Sequence, residues 1–186
     1  MSKKEQALDD TRLLLDHNIH IPTQTIFLTG EVDDEMYETL LLGFILIEER
    51  HKDKTNILIE LNSHGGSWYA GIAMYDRIKV YKYPVTIHVS GMALSMASVI
   101  LQAADTKLIT PGSTIMVHDG SDMTGGSPDN MLAWAKHGKE ICKAMYGIYA
   151  ESSDKTAVWW EKHCKTDFIL SAEKAIALGL ADGYIS

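Results

Sequence analysis

Three polar side chains in the second half of the chain have the types that nucleophilic catalysis requires. Ser95 follows the small-residue turn Gly91-Met92-Ala93 and opens a predicted helix. There the amide of Met96 has no intrahelical acceptor, and the helix dipole favours negative charge. A serine hydroxyl is a weak nucleophile at neutral pH and needs a neighbouring base. His118 ends a predicted strand 23 residues later and is the best placed of the eight histidines. Asp167 is available to orient its ring.

Spacing alone leaves alternatives open at each of these positions. A serine that opens a helix is more often a cap than a nucleophile, and Ser98 offers a second hydroxyl one turn later. Asp119, which directly follows the histidine, competes with the more distant carboxylate as its partner. The pair Gly65-Gly66 after a predicted strand is either a tight turn or part of an oxyanion hole.

Alternating strands and helices must position these side chains. Apolar periodicity and turn residues predict strands over 25–28, 56–61, 84–90, 107–110, 114–117 and 168–170, with a glycine turn at 62–66 and a strand break at Gly91. Helices are predicted over 36–47, from 68 to 81, from 95, over 128–151 after the cap Ser127, and over 171–179. This alternation indicates an α/β class with mostly parallel pairing, in which ligands gather at the carboxyl ends of the strands.

Composition restricts the classes of function. The 186 residues are 46% hydrophobic with a net charge of −8, which predicts one folded domain and no nucleic-acid face. The longest apolar stretch, residues 40–47, is too short for a membrane span, and the first residues show no secretory signal. Cys142 and Cys164 lack metal-ligand spacing and are read as free thiols of a cytoplasmic protein. A polar segment, residues 1–24, is expected to attach loosely to a domain spanning residues 25–186.

Several motifs occur together in a fixed order along the chain, and with them the sequence resembles the proteolytic subunit of the Clp protease, a family of self-compartmentalised serine peptidases. The matching segments are Ile26–Val32, Leu61–Gly66, Tyr75-Asp76, Gly91–Ala97, Met116–His118, Asp167–Ala175 and Gly179–Asp182. They span roughly residues 25 to 186. No single segment is decisive, but the ordered set is specific.

The resemblance implies a role for each candidate residue. Ser95 is the implied nucleophile, His118 the general base and Asp167 the orienting acid, with the backbone amides of Gly66 and Met96 as oxyanion donors. The implied reaction is hydrolysis of peptide bonds through an acyl-enzyme, without a metal or an organic cofactor. The implied fold is the ββα superhelix that this family shares with the crotonases, with the long helix from residue 128 as a protruding handle.

The resemblance also implies an assembly. Members form homo-oligomers in which two heptameric rings enclose a chamber, and an AAA+ unfoldase feeds in unfolded protein or peptide substrates. The sequence departs from the family pattern in several places: Asp119-Gly120 replace Gln-Pro after the histidine, and Thr166 and Phe168 replace basic residues beside the aspartate. Residues 1–24 show no clear match to the axial-loop segment.

Two other functions compete with the peptidase. One is a non-catalytic paralogue that assembles with an active subunit; the other is a crotonase-like enzyme acting on a thioester. Among the remaining side chains, the methionines Met92, Met96 and Met123 are candidates for lining a substrate pocket. The larger aromatic residues are expected to pack helices together: Trp134, Trp159, Trp160, Tyr146 and Tyr149.

Overall fold

Helices alternate with the strands of one sheet in the computed structural model, which describes residues 3–51, 56–120 and 125–185. The helices are α1 Lys3–His17, α2 Asp34–Arg50, α3 Trp68–Lys79, α4 Met96–Leu101, α5 Pro128–Ser152, α6 Ala157–His163 and α7 Ala172–Ala177. The strands are β1 Ile19–His20, β2 Thr25–Val32, β3 Ile57–Gly66, β4 Val85–Leu94, β5 Thr106–Ile109, β6 Thr114–Val117, β7 Phe168–Ser171 and β8 Gly183–Tyr184. The predicted α/β class is confirmed.

The sheet branches at β4. Strands β2, β3, β4, β5 and β8 lie side by side in that order and are parallel, while β1 pairs antiparallel with β2 at the edge. The first half of β4 pairs with β5, and its last residues pair with β6, which in turn pairs antiparallel with β7. Strands β5 and β6 therefore lie along successive parts of β4, and this branched α/β sheet is consistent with the expected ββα superhelix.

Two predicted interruptions of the strands are wrong. Strand β4 continues through Gly91 to Leu94, and strand β3 continues through the glycine turn to Gly66, where it still pairs with Val32 of β2. The glycines distort the ladder without ending it, since Gly91 has a φ of +102° and Gly65 a φ of +91°. The last residues of β3 and β4 therefore lie next to each other at the carboxyl end of the sheet.

Helix α4 lies at the centre of the core. All six of its residues are buried, and on β3 the buried residues Ile57, Ile59 and Leu61 alternate with less buried ones. Complete burial of an aliphatic side chain of this size stabilises the fold by about 1.5–3 kcal/mol. The residue that precedes α4, Ser95, is thereby attached to a fully buried helix.

Helix α5 supplies the protruding handle. Its cap is the predicted one: the Ser127 hydroxyl accepts a hydrogen bond from the Asn130 amide at 3.3 Å, and Pro128 occupies the first turn. Residues 128–137 are exposed, whereas Met145, Tyr146 and Tyr149 near the other end are buried. The buried residues of the helix thus lie in its second half.

The N-terminal helix α1 was not predicted, because its acidic and polar residues give little apolar periodicity. Asp9 on α1 accepts a hydrogen bond from Arg50 at the end of α2 at 2.5 Å. Ile19 and Ile21, which follow the helix, are buried in the core. The loose attachment expected for residues 1–24 stays a prediction.

Candidate active site

The backbone at Ser95 places its side chain in an unusual position. Ser95 joins β4 to α4 with a φ of +52° and a ψ of −124°, a conformation that is uncommon for residues other than glycine. Its amide donates to the Met116 carbonyl of β6 at 2.8 Å, which fixes the turn to the neighbouring strand. Strained residues of this kind are concentrated at functional sites, where the surrounding structure maintains them.

The hydroxyl of Ser95 lies within hydrogen-bond distance of His118. The distance from Ser95 Oγ to His118 Nε2 is 2.7 Å. On the other side of the ring, His118 Nδ1 lies 3.1 Å from Asp167 Oδ1. The sequence-predicted serine, histidine and aspartate therefore form one continuous hydrogen-bonded row.

The antiparallel pair β6–β7 brings the histidine and the aspartate together. Its last paired residues are Val117 and Phe168, so His118 leaves one strand at the point where Asp167 enters the other. The two residues are far apart in sequence, but the register of a four-residue ladder determines their separation. The Asp167 side chain is 63% exposed and the His118 side chain 26% exposed.

The two rival side chains are engaged elsewhere. The Ser98 hydroxyl is completely buried and lies 2.6 Å from the Ser95 carbonyl oxygen and 2.7 Å from the hydroxyl of Tyr149. The carboxylate of Asp119 accepts hydrogen bonds from Tyr146 and Lys165. Because Ser98 and Asp119 are held by these contacts, Ser95 and Asp167 are the serine and the aspartate that contact His118.

The end of β3 approaches the serine turn closely. The side chain of Ser63 donates to the Gly30 carbonyl at 2.6 Å and accepts from the Gly65 amide at 3.1 Å, which shapes this end of the strand. A Cβ atom built on Gly65 would lie 2.6 Å from the Leu94 carbonyl oxygen and 2.7 Å from Ser95 Cβ. Only glycine permits this approach.

A cleft of about 590 Å³ opens beside these groups. Both predicted oxyanion residues, Gly66 and Met96, line it together with Ser95 and His118. Its other walls come from the start of α3, from α4, from the chain after β6 and from α5: Ser67, Trp68, Tyr69, Val99, Asp119, Gly120, Trp134, His137, Gly138, Ile141, Cys142 and Met145. A mostly apolar cleft with a few convergent polar groups is the usual form of a binding site for a side chain or small ligand.

The cleft corrects several sequence expectations. Of the candidate pocket methionines, Met96 lines the cleft, Met92 is exposed and does not line it, and Met123 lies outside the described residues. Trp134 was expected to pack between helices, but it is half exposed on the cleft wall, where its ring lies 5.9 Å from that of His137. The other four aromatic residues pack as expected, at the junction of α5 and α6: Tyr146, Tyr149, Trp159 and Trp160.

Sequence reasoning missed most of the α5 wall. The residues Trp134, Gly138, Ile141 and Met145 follow one another at intervals of four, three and four, so they share one face of the helix. This stripe is visible in the sequence. It points to a groove facing α5, but the pattern alone does not distinguish a substrate groove from the core of the protein.

Two thiols lie close to the site, and both are free. Burial raises the pKa of Cys164 to about 12, and burial also raises the pKa of the Cys142 thiol. The pKa of the Tyr146 hydroxyl is raised as well, first by burial and then by its hydrogen bond to Asp119. All three groups are therefore protonated at neutral pH. No cluster of potential metal ligands occurs among residues 3–51, 56–120 and 125–185.

Comparison with known proteins identifies the family. The sequence model of the Clp protease family matches residues 3–186, nearly the whole chain. The chain belongs to the Clp protease family. A curated relative from Deinococcus radiodurans, the ATP-dependent Clp protease proteolytic subunit, is 30% identical over 162 residues, which are 86% of this chain and 79% of the relative.

Membership of the Clp protease family makes the chain a serine-type peptidase and disfavours the non-catalytic paralogue and the thioester enzyme. The match begins at residue 3 and so includes α1 and β1. Within the part of the chain that the structure describes, no helix is both long and apolar enough to cross a bilayer.

Proposed function

We propose that this Clp-type peptidase cleaves peptide bonds through a covalent acyl-enzyme on Ser95, with His118 as general base and Asp167 as the carboxylate that orients it. The observation that carries this proposal is the row of two hydrogen bonds, 2.7 Å from Oγ to Nε2 and 3.1 Å from Nδ1 to Oδ1. In that row the neutral imidazole keeps a proton on Nδ1 toward the carboxylate and presents a basic Nε2 to the hydroxyl.

The reaction proceeds in two halves. Ser95 Oγ attacks the carbonyl carbon of the scissile bond while its proton passes to His118 Nε2, which gives a tetrahedral oxyanion and an imidazolium. The imidazolium then donates that proton to the leaving amine as the C–N bond breaks. Water attacks the resulting ester with His118 as base, the C–O bond to the serine breaks, and the hydroxyl recovers its proton. The negative charge of Asp167 stabilises the imidazolium in both halves.

The oxyanion would be held by the backbone amides of Gly66 and Met96. Met96 is the first residue of α4, where amides have no acceptor within the helix, and both residues line the cleft beside Ser95. Donors fixed in a low-dielectric site stabilise the developing charge without reorganising, and each contributes about a hundred- to a thousandfold in kcat. The close approach of Gly65 to the serine turn supports this arrangement.

The proposal extends to assembly and partners. Large apolar side chains are exposed on the handle, on α6 and on β7, where Leu132, Val158 and Ile169 are 71%, 74% and 64% exposed. Burial of such side chains between subunits would remove apolar area from water, which favours association. We therefore propose a homo-oligomer of heptameric rings, stacked into a tetradecamer, that receives unfolded protein or peptide substrates from an AAA+ unfoldase in the cytoplasm. The phrase "ATP-dependent" in the relative's name supports such a partner.

Two variants test the nucleophile. Ser95→Ala is expected to lower turnover of a fluorogenic peptide by at least about a thousandfold, because triad residues act as a unit. Ser90→Ala, which removes the hydroxyl of an exposed serine on β4, the strand that leads to Ser95, should retain the parent rate. A fluorophosphonate label should attach to Ser95, as located by mass spectrometry. An active Ser95→Ala protein would refute the assignment, and light scattering on the same samples tests the assembly.

A further inference from the structure

The backbone of Asp119 connects the two loops that carry the catalytic base and the catalytic acid. Asp119 directly follows His118, and its amide donates to the Cys164 carbonyl oxygen at 2.8 Å. Its own carbonyl oxygen lies 3.5 Å from the Cys142 sulfur, within reach of the thiol proton. The backbone of Asp119 is thus bonded both to the loop that precedes Asp167 and to helix α5.

The side chain of Asp119 makes the same connection a second time. Its Oδ1 accepts from the Tyr146 hydroxyl at 2.5 Å, and its Oδ2 accepts from Lys165 Nζ at 3.0 Å. Lys165 Nζ also lies 3.4 Å from the Tyr146 hydroxyl oxygen, so the three groups form a closed triangle. We call these three residues the Asp119 clamp. It joins the β6 exit, the loop before β7 and helix α5.

The clamp lies where the β6–β7 ladder no longer constrains the chain. The ladder ends at the pair Val117–Phe168, and His118 and Asp167 stand just beyond it. Strand ends fray unless other contacts constrain them. Beyond the catalytic pair, Asp119 is bonded to Cys164 and Lys165 of the facing loop. The ladder therefore joins the two chain segments on one side of His118 and Asp167, and the clamp joins them on the other side.

We propose that Asp119 is a positioning residue, which sets the separation of His118 and Asp167 by clamping their two loops together through Lys165 and Tyr146. Both ring nitrogens of His118 have other partners, Ser95 and Asp167, so Asp119 takes no proton in the reaction. The inference rests on the proposed triad chemistry. It assigns a role to a residue at which this chain departs from the family's Gln-Pro pattern.

The alternative is that Asp119 acts only through its charge. In that case neutralising Asp119 would destabilise the His118 imidazolium, because it removes a negative charge near the ring. Neutralising Lys165 would stabilise the imidazolium, because it removes a positive charge. A positioning role predicts the same effect from both, since either change opens the clamp. When the two changes are combined, their losses in kcat should also be less than additive.

The experiment compares Asp119→Asn, Lys165→Met and the double variant with the parent. Asp154→Asn is the matched control, since Asp154 also pairs with a lysine, at 2.9 Å, but on an exposed loop between α5 and α6. Lys165 is 57% exposed, so its replacement leaves the core intact. For each purified full-length protein, kcat and KM are measured with a fluorogenic peptide between pH 6 and 9. Amide hydrogen exchange is followed over residues 113–120.

Each clamp variant should lose about ten- to a hundredfold in kcat, with KM within about twofold of the parent, because a small displacement of a catalytic group has effects of this size. The double variant should be no worse than the lower single variant, and Asp154→Asn should match the parent. The Asp119 amide should exchange about tenfold faster or more in Lys165→Met, whether or not the enzyme is active, because the clamp no longer holds its bond to Cys164 closed.

Three results would overturn the clamp. These are unchanged exchange at Asp119 in Lys165→Met, an unchanged kcat in either single variant, or pH profiles that shift in opposite directions in the two. Failure of the triad itself is separate and would appear as a Ser95→Ala protein that is as active as the parent. Because hydrogen exchange is independent of turnover, the clamp is tested even then.

Discussion

Replacing Gly65 by alanine should impair catalysis in addition to straining the fold. The new Cβ would lie 2.6 Å from the Leu94 carbonyl oxygen, 2.7 Å from Ser95 Cβ and 3.0 Å from the Met96 amide nitrogen. These atoms belong to the turn that carries Ser95, the proposed nucleophile, and Met96, a proposed oxyanion donor. None is the end of a flexible side chain, so the backbone itself has to move.

The size of the effect follows from these distances. Leu94 O would have to retreat by about 0.8 Å to reach an ordinary contact of 3.4 Å. A misplacement of about 1 Å can cost a hundredfold in rate. Loss of one oxyanion donor costs about a hundred- to a thousandfold. We expect kcat to fall about a hundredfold, which corresponds to about 2.7 kcal/mol of transition-state stabilisation.

Two other glycines serve as controls that distinguish the effect of this contact from the effect of backbone strain. Gly30 has almost the same φ, +94° against +91°, but a Cβ there meets nothing within 4 Å. Gly112 has neither a positive φ nor a close contact. Gly30→Ala should lower the free energy of unfolding by about 1–3 kcal/mol with little change in kcat. Gly112→Ala should be neutral or gain about 0.4–1 kcal/mol.

The assay combines urea unfolding with kcat for a fluorogenic peptide on all three variants. The difference in kcat between Gly65→Ala and Gly30→Ala measures the contact with the serine turn, because both share the strain of a positive φ. If those two variants had kcat values within about threefold of each other, the reasoning would be refuted. The glycine would then be present for its backbone conformation alone.

Two further predictions concern buried groups. Ser98→Ala should lower the free energy of unfolding by about 1–3 kcal/mol in urea, since it leaves the Tyr149 hydroxyl without its 2.7 Å partner; a loss no larger than that of Ser90→Ala would contradict this. Stability should also fall as the pH rises above 9, because the unfolded chain loses the Cys164 proton near its ordinary pKa of 9.0 while the folded chain keeps it to about 12. In the same unfolding assay, the free energy of unfolding of Cys164→Ala should fall less steeply between pH 9 and 10 than that of the parent. An identical slope in the two proteins would show that the Cys164 thiol is not the cause.

Local signals in the sequence predicted much of the fold. The cap Ser127 with Pro128 determines the start of α5, and strand β6 was predicted at its observed bounds because its turn and alternation are contained in a few residues. The continuation of β3 and β4 through glycines could not be predicted in this way. It depends on partner strands such as β2 and β6, which are distant in sequence.

The candidate site shows the same division. Residue types and strand ends indicated Ser95 and His118, but the choice between Ser95 and Ser98 depends on Tyr149, which lies 51 residues away and occupies the second hydroxyl. The choice between the two aspartates likewise depends on Tyr146 and Lys165. Such choices are made by long-range contacts, and one sequence carries no local trace of them.

The arrangement of β6 and β7 separates chemistry from recognition. His118 and Asp167 stand just beyond the same end of one short ladder, while the chain between them makes a long excursion that includes α5, one wall of the cleft. Substitutions at Trp134 and Gly138, which precede the contacts of α5 with Asp119 at Cys142 and Tyr146, should therefore reshape the cleft without moving His118 or Asp167. The length of that excursion thus allows the cleft wall to vary along residues 134–138 while the separation of His118 and Asp167 is kept.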